Sequence, residues 1–259
     1  MQNNTFFNGT KHPVLLKFPS SLLKGFSKGS VNFRENLTAL INRAYNKPRL
    51  RYNIILTERI KHHDDILLDL GLDKSSSNCY IYCLLVPRDW LGFTSDELIE
   101  RFQKSTTTNS TQTVLIEHES EFRFNKEIND RVVGIIGIKP FQDLDQTSLS
   151  NVYGESYSNM LELTSFCSFK SKTGPLLFNL MKNDIHLSFP QNFKKIVAIV
   201  IVEHNLVFYY EKILNFIKID NSIVKIKLKS GQSTEKNVLL EGGIKATRDF
   251  HLQSLYINL

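Results

Sequence analysis

Cysteine is scarce in this chain. Cys79, Cys83 and Cys167 are three in all, too few and too odd in number for a disulfide framework. No second Cys/His pair stands at ligand spacing from Cys79 and Cys83, which argues against a structural zinc, and the three read as reduced, structural thiols. Long apolar runs are missing too. The best of them, Ile81–Val86 and Ile196–Val202, suit buried strands and fall far below the roughly 20 residues that span a bilayer. The segment Met1–Thr10 is polar and lacks the basic-then-apolar order of a secretory signal. The expectation is a soluble cytoplasmic protein, without excluding the nucleus, that has no membrane partner. Tryptophan occurs once, but 18 Phe and nine Tyr promise an aromatic core.

What is present is ordinary for a globular protein: 41% hydrophobic and 22% charged residues over 259 positions, enough to bury a sizeable core. The net charge of +6 comes from 32 basic and 26 acidic residues. Such an excess suits an anionic ligand, a nucleotide-bearing cofactor for example, and equally suits weak nucleic-acid contact. No RNA- or DNA-binding motif supports the second. Lys225, Lys227 and Lys229 alternate along an expected strand and so form one charged face, which is the usual solvated arrangement.

Hydrophobic periodicity sets the element order. Val14–Phe18 reads as a strand. A helix runs from about Ser30 to Tyr45, with Phe33, Leu37, Leu40, Ile41 and Ala44 on one face and Pro48 as its stop. A second helix fits Asp64–Leu70, a buried strand Cys79–Val86, and a short helix Ser95–Phe102. Residues 88–112 and 142–158 look like polar insertions into a single domain spanning 1–259. Thr113–Phe124 alternates in part, and Arg131–Lys139 is a strand whose Gly134 and Gly137 allow a bulge or a close backbone approach. Met160–Phe169 is a strand leading through a basic turn into a helix at Pro175–Met181. Lys195–Val202 is a buried strand, Asn205–Leu214 a helix, and Ile223–Leu228 and His251–Ile257 are the last strands. The fold class is mixed α/β.

Chemistry concentrates in Met160–Met181. A strand, a turn carrying Lys170, Lys172 and Gly174, and a helix N-terminus together make an anion site, because free N–H groups and the helix dipole both favour phosphate. A second strand-to-helix unit, Ile196–Val202 into Asn205 and a Tyr-rich helix, reinforces it. With the element order, Val132-Val133-Gly134-Ile135-Ile136-Gly137, the strand LELTSFCSF, and Asn205 through Tyr209-Tyr210-Glu211-Lys212 to Phe216, the chain resembles the GNAT superfamily of acetyl-CoA-dependent N-acetyltransferases. Ala39–Tyr45, Thr57-Glu58-Arg59-Ile60 and Leu68-Asp69-Leu70-Gly71 are similar to fungal members.

The resemblance implies a central twisted sheet splayed between its fourth and fifth strands, with acetyl-CoA as co-substrate, an amine as acceptor and no metal. It implies that Phe166, Cys167 and Ser168 pair with the pantetheine arm, and that Lys170, Lys172, Thr173 and Gly174 meet the diphosphate. Asn205 and Tyr209 would complete the cofactor contacts, with Glu162 as general base and Tyr210 as acid at the thioester sulfur. The family turn, Gln/Arg-x-x-Gly-x-Gly/Ala, is altered here: Phe169 replaces the first residue, Lys172 the middle glycine, and Pro175 removes a donor just beyond. That departure leaves an alternative open, a degenerate module that binds acyl-CoA or regulates without turnover. A homodimer is also left open.

Plainer readings stand beside these. Glu162 between two leucines fits a solvent-facing position, and Tyr209 or Tyr210 fits the core. His204 is a second base candidate. His62-His63-Asp64-Asp65 suggests a metal cluster, but a helix cap and dipole partner explain the aspartates better.

Overall fold

The computed structural model describes residues 10–73, 78–107, 111–141, 159–189, 193–220, 222–228 and 244–259. Its strands are β1 (Val14–Pro19), β2 (Tyr80–Leu85), β3 (Gln112–Leu115), β4 (Val132–Pro140), β5 (Met160–Ser168), β6 (Lys195–Ile201), β7 (Ile217–Lys218), β8 (Val224–Ile226) and β9 (Phe250–Asn258). Its helices are α1 (Lys28–Tyr52), α2 (Ile66–Asp69), α3 (Ser95–Thr107), α4 (Lys126–Arg131), α5 (Thr173–Ser188) and α6 (Leu206–Lys212). The strands described make one nine-stranded sheet in the order β3-β1-β2-β4-β5-β6-β9-β7, with β8 also on β9. The β1–β3 and β5–β6 pairs are parallel and the others antiparallel, so the sheet is mixed.

Each face of the sheet carries its own apolar layer. On one, Phe33, Leu37, Leu40 and Ile41 of α1 pack on Leu16, Phe18, Cys83 and Ile135. Phe122 and Phe124 complete that layer, with ring centroids 5.0 Å apart. They follow a strand that stops at Leu115, so the expected strand through Phe124 is mostly a loop plugged into the core by its two rings. On the other face, Leu177, Phe178, Met181 and Ile185 of α5 and Leu98 and Phe102 of α3 cover Leu84, Val133 and Ile136.

Helix α1 departs from expectation at its end. Ser27 caps its start by accepting from the Ser30 N–H at 3.1 Å. The helix then passes through Pro48 to Tyr52 and ends at Asn53, which is left-handed at φ 47°. Proline removes one helical hydrogen bond, but tertiary contacts hold the turn beyond it. Tyr52 stacks on His204 at 4.9 Å, and Arg49 donates to the Leu56 carbonyl at 3.0 Å.

The feature that positions a site lies at β5. Its pairing with β6 covers Met160↔Lys195, Leu161↔Ile196 and Glu162↔Val197 and goes no further. Both strands continue, to Ser168 and Ile201, so they part toward their C-terminal ends. On the other side, β4 and β5 slip register: Ile135 faces Cys167 and Gly137 faces Thr164, leaving Ser165 and Phe166 opposite Ile136 alone. This bulge bends β5 at the point where it leaves β6. Gly137 permits it, since a Cβ there would stand 3.0 Å from the Thr164 carbonyl oxygen. Among the described residues no helix is long and apolar enough to cross a membrane.

Candidate active site

The gap between β5 and β6 is bounded by two strand-to-helix turns, each using a left-handed residue. Lys172, at φ 65°, turns β5 into the first residue of α5, Thr173. Asn205, at φ 56°, turns the short 3-10 segment Val202–His204 into α6. Asparagine tolerates this region because its short amide bonds locally, whereas lysine gains nothing comparable. The first of these turns is braced from within: the buried Thr173 hydroxyl donates to the Lys170 carbonyl at 2.7 Å.

Four expected site residues come together on the α5 side of the gap. The Phe166 ring lies 6.5 Å from Tyr209 and 6.2 Å from Tyr210, and the two tyrosine rings are 5.9 Å apart and nearly perpendicular. The Tyr209 hydroxyl rests directly on Gly174, so close that any Cβ there would collide with it. Gly174 is buried as a result. Burial pushes the Tyr209 phenol up to about 12. Burial also raises the Tyr210 phenol well above its usual value, with Tyr45, Tyr209 and Cys167 adding to the shift. Cys167 packs against the α1 layer on the other face, and burial raises its thiol to about 12.

The remaining expected residues are placed differently. Glu162 sits at the closed end, on the last β5–β6 pair, with Lys139 at 3.4 Å. It is partly buried and ion-paired, not simply solvent-facing. Ser168 and Asn205 are exposed at the open end. Lys172 is in a 2.5 Å ion pair with Asp96 of α3, and Lys170 donates to the Phe93 carbonyl at 3.4 Å. The segment 88–112, expected to be an insertion, therefore lies, as far as it is described, against the basic turn. It also lines an open surface pocket with Trp90, Phe93 and Arg101 among its residues. The second insertion, 142–158, falls outside the described residues, as does Lys229. Lys225 pairs with Asp249 at 3.2 Å, and the strand that carries it is only three residues long. His62, His63 and Asp64 do bring their ligand atoms within 4.8 Å of one another. Asp64, however, already accepts from the Arg34 guanidinium at 3.1 Å.

Two groups at the gap escaped the sequence or were weighed lightly. His204 is buried beneath Tyr52, its Nε2 has no hydrogen-bond partner among the described residues, and burial lowers its pKa. Ser165, the bulge residue, is buried at φ 56°, and its hydroxyl too has no partner among the described residues. His204 was visible from its place after a buried strand. Ser165 carried no local signal beyond Gly137, which faces its neighbour Thr164.

A mixed sheet parted between parallel central strands, with a helix N-terminus following one arm, is the arrangement that the sequence resemblance implied. The chain belongs to the family described as sporulation protein RMD6, which it matches over residues 7–259. It is 28% identical over 234 residues to sporulation protein RMD6 of Saccharomyces cerevisiae, covering 90% of both chains. Among solved structures it is similar to smu.2055 of Streptococcus mutans UA159, with a TM-score of 0.44, 10% identity and coverage of 88% of this chain and 94% of that one. It is also similar to Arabidopsis thaliana NAA60 in complex with a bisubstrate analogue, with a TM-score of 0.40, 10% identity and coverage of 77% and 84%.

Proposed function

We propose that this chain is an acetyl-CoA-dependent N-acetyltransferase acting on a primary amine of a small molecule or a protein. One observation carries the reading: β5 and β6 pair only through Glu162 and Val197 and then diverge. Parted strands leave backbone donors and acceptors unpaired inside a sheet, where a flat amide-bearing arm such as pantetheine can bond them. The start of the 16-residue α5 lies just beyond, where a diphosphate is favoured. Lys170 and Lys172 add positive charge at that turn.

In this reading the neutral amine nitrogen attacks the thioester carbonyl carbon. A C–N bond forms, the C–S bond breaks, the amine proton passes to a base and the thiolate leaves. Glu162 is the proposed base, beside Lys139 at 3.4 Å. The β5 amides beyond the bulge polarise the carbonyl. Tyr210 serves the leaving sulfur. Burial holds its phenol neutral and well above its usual value, whereas a free thiol titrates near about 8.5. Full transfer of its proton to the thiolate is therefore uphill, and the phenol acts as a hydrogen-bond donor to the sulfur.

Calorimetric titration with acetyl-CoA, followed by thiol release on a panel of amines, tests the reading. Saturable binding and amine-dependent release are expected, and absence of binding overturns it. A second reading, a module that binds acyl-CoA without turnover, is favoured by one observation: the basic turn is already met by the chain's own groups, with Tyr209 on Gly174 and Asp96 on Lys172. Binding with no release on any amine is its signature.

A further inference from the structure

We infer that the Ser165 hydroxyl is a hydrogen-bond donor to the carbonyl oxygen of the thioester, a side-chain member of the oxyanion site; this rests on the acetyl-transfer reading above. Ser165 and Phe166 are the extra pair of the β5 bulge, set against Ile136 alone on β4. On the other side, pairing with β6 has ended at Glu162. Ser165 therefore has no directly opposed partner on either neighbouring strand, at the place where the gap opens.

Two further observations single it out. Its backbone is left-handed at φ 56°, a conformation that glycine adopts freely and serine does not. Its side chain is 1% exposed, and its Oγ has no hydrogen-bond partner among the described residues. A glycine would make the same bulge without strain and without a stranded hydroxyl. For the fold alone, serine is the poorer choice on both counts. Unpaired buried hydroxyls and left-handed serines each disfavour the folded state. A group retained against that bias has its partner elsewhere, and the partner brought to this gap is a thioester.

The flanking side chains are engaged on one face of the sheet or the other. Leu163 and Phe166 belong to the α5 layer, and Cys167 packs on the α1 layer. Thr164 accepts from Arg59 at 3.4 Å. During attack the carbonyl oxygen gains negative charge, and a donor shielded from water acts on it most strongly. No bond to serine forms or breaks; the hydroxyl hydrogen is shared with the oxyanion and returns when the C–S bond breaks.

Ser165→Ala tests this with three measurements on the full chain: turnover, acetyl-CoA affinity and melting temperature. The expected result is a loss of about a hundredfold in kcat, acetyl-CoA affinity within about twofold of the unchanged protein, and a melting temperature equal or higher. A structural role predicts the reverse, a lower melting temperature with kcat preserved. Ser165→Gly, which also removes the backbone strain, is expected to be more stable still and equally slow. Unchanged turnover in both variants overturns the inference while leaving the acetyl-transfer reading intact. An unsubstituted protein that neither binds acetyl-CoA nor releases thiol overturns both.

Discussion

The Tyr209 hydroxyl sits on the Cα of Gly174, across the gap between α6 and the first turn of α5. This contact ties the two strand-to-helix units together and makes the glycine a packing residue as well as a turn residue. Gly174→Ala must push the phenol aside or shift the helix. Overpacking of this kind disfavours folding by about 1–3 kcal/mol. The expected outcome is a lower melting temperature, largely recovered by Tyr209→Phe in the same chain, because only the oxygen is in the way. Failure of the second substitution to restore stability would show that the backbone, not the phenol, sets the limit.

Lys17 carries a different kind of risk. Lys17 is 5% exposed, and its ammonium pairs with the buried Asp184 at 2.8 Å, while Tyr82 donates to the same carboxylate oxygen at 2.9 Å. The Tyr80 ring lies 4.4 Å from the ammonium. Burial first, then the Asp184 charge, raises the Tyr82 phenol, so it stays a donor throughout the accessible pH range. Lys17→Met leaves the carboxylate buried without its cation, a loss of about 3–5 kcal/mol. Denaturant unfolding is expected to show it. The double variant Lys17→Met with Asp184→Leu is expected to recover most of the loss, since removing both charges removes the penalty.

The ion pair of Lys172 with Asp96 competes with any anion at the start of α5. Both side chains are exposed, so the pair itself contributes at most about 1 kcal/mol. Asp96→Asn is expected to strengthen acetyl-CoA binding by up to about fivefold, with the gain fading as salt is raised. Affinity that does not respond to Asp96→Asn removes Lys172 from the diphosphate contacts.

The strands were readable because Cys79–Val86, Arg131–Lys139 and Lys195–Val202 are short apolar runs too brief for helices, bounded by Pro87, Pro140 and polar turns. The parted pair followed from a family resemblance and not from periodicity, since nothing in Met160–Ser168 says where its pairing stops. Pro48 misled because a local rule met a tertiary contact: Tyr52 on His204 holds a turn that sequence alone would end. Ser165 was hidden for another reason. A bulge is a mismatch of register between two strands, and only Gly134 and Gly137 on the facing strand hinted at one. The choice between Tyr209 and Tyr210 hung on helix register. Geometry separates them, with one hydroxyl on Gly174 and the other phenol buried in the α5 layer.

His204 should make stability depend on pH in one direction. Burial lowers its pKa below the ordinary 6.5, and the Glu203 charge opposes that shift only in part. Glu203 itself is engaged by His251, whose Nδ1 lies 2.8 Å away and whose N–H donates at 3.0 Å. On the other side the ring faces Tyr52, with the Arg51 guanidinium 5.3 Å beyond it. In the unfolded chain the imidazole takes its proton near 6.5, before the folded chain does, so below that pH the unfolded state binds more protons. Stability from this residue is therefore complete above about pH 6.5 and lost as pH falls toward the lower folded value. His204→Phe keeps a ring for Tyr52 and removes both the titration and the stranded Nε2. Thermal melts of the two chains are expected to agree, or to favour the variant slightly, at pH 7.5. They are expected to diverge increasingly in the variant's favour between pH 6.5 and 5. Parallel pH profiles would mean that the imidazole finds a partner as it charges, which the packing of Tyr52 over it argues against.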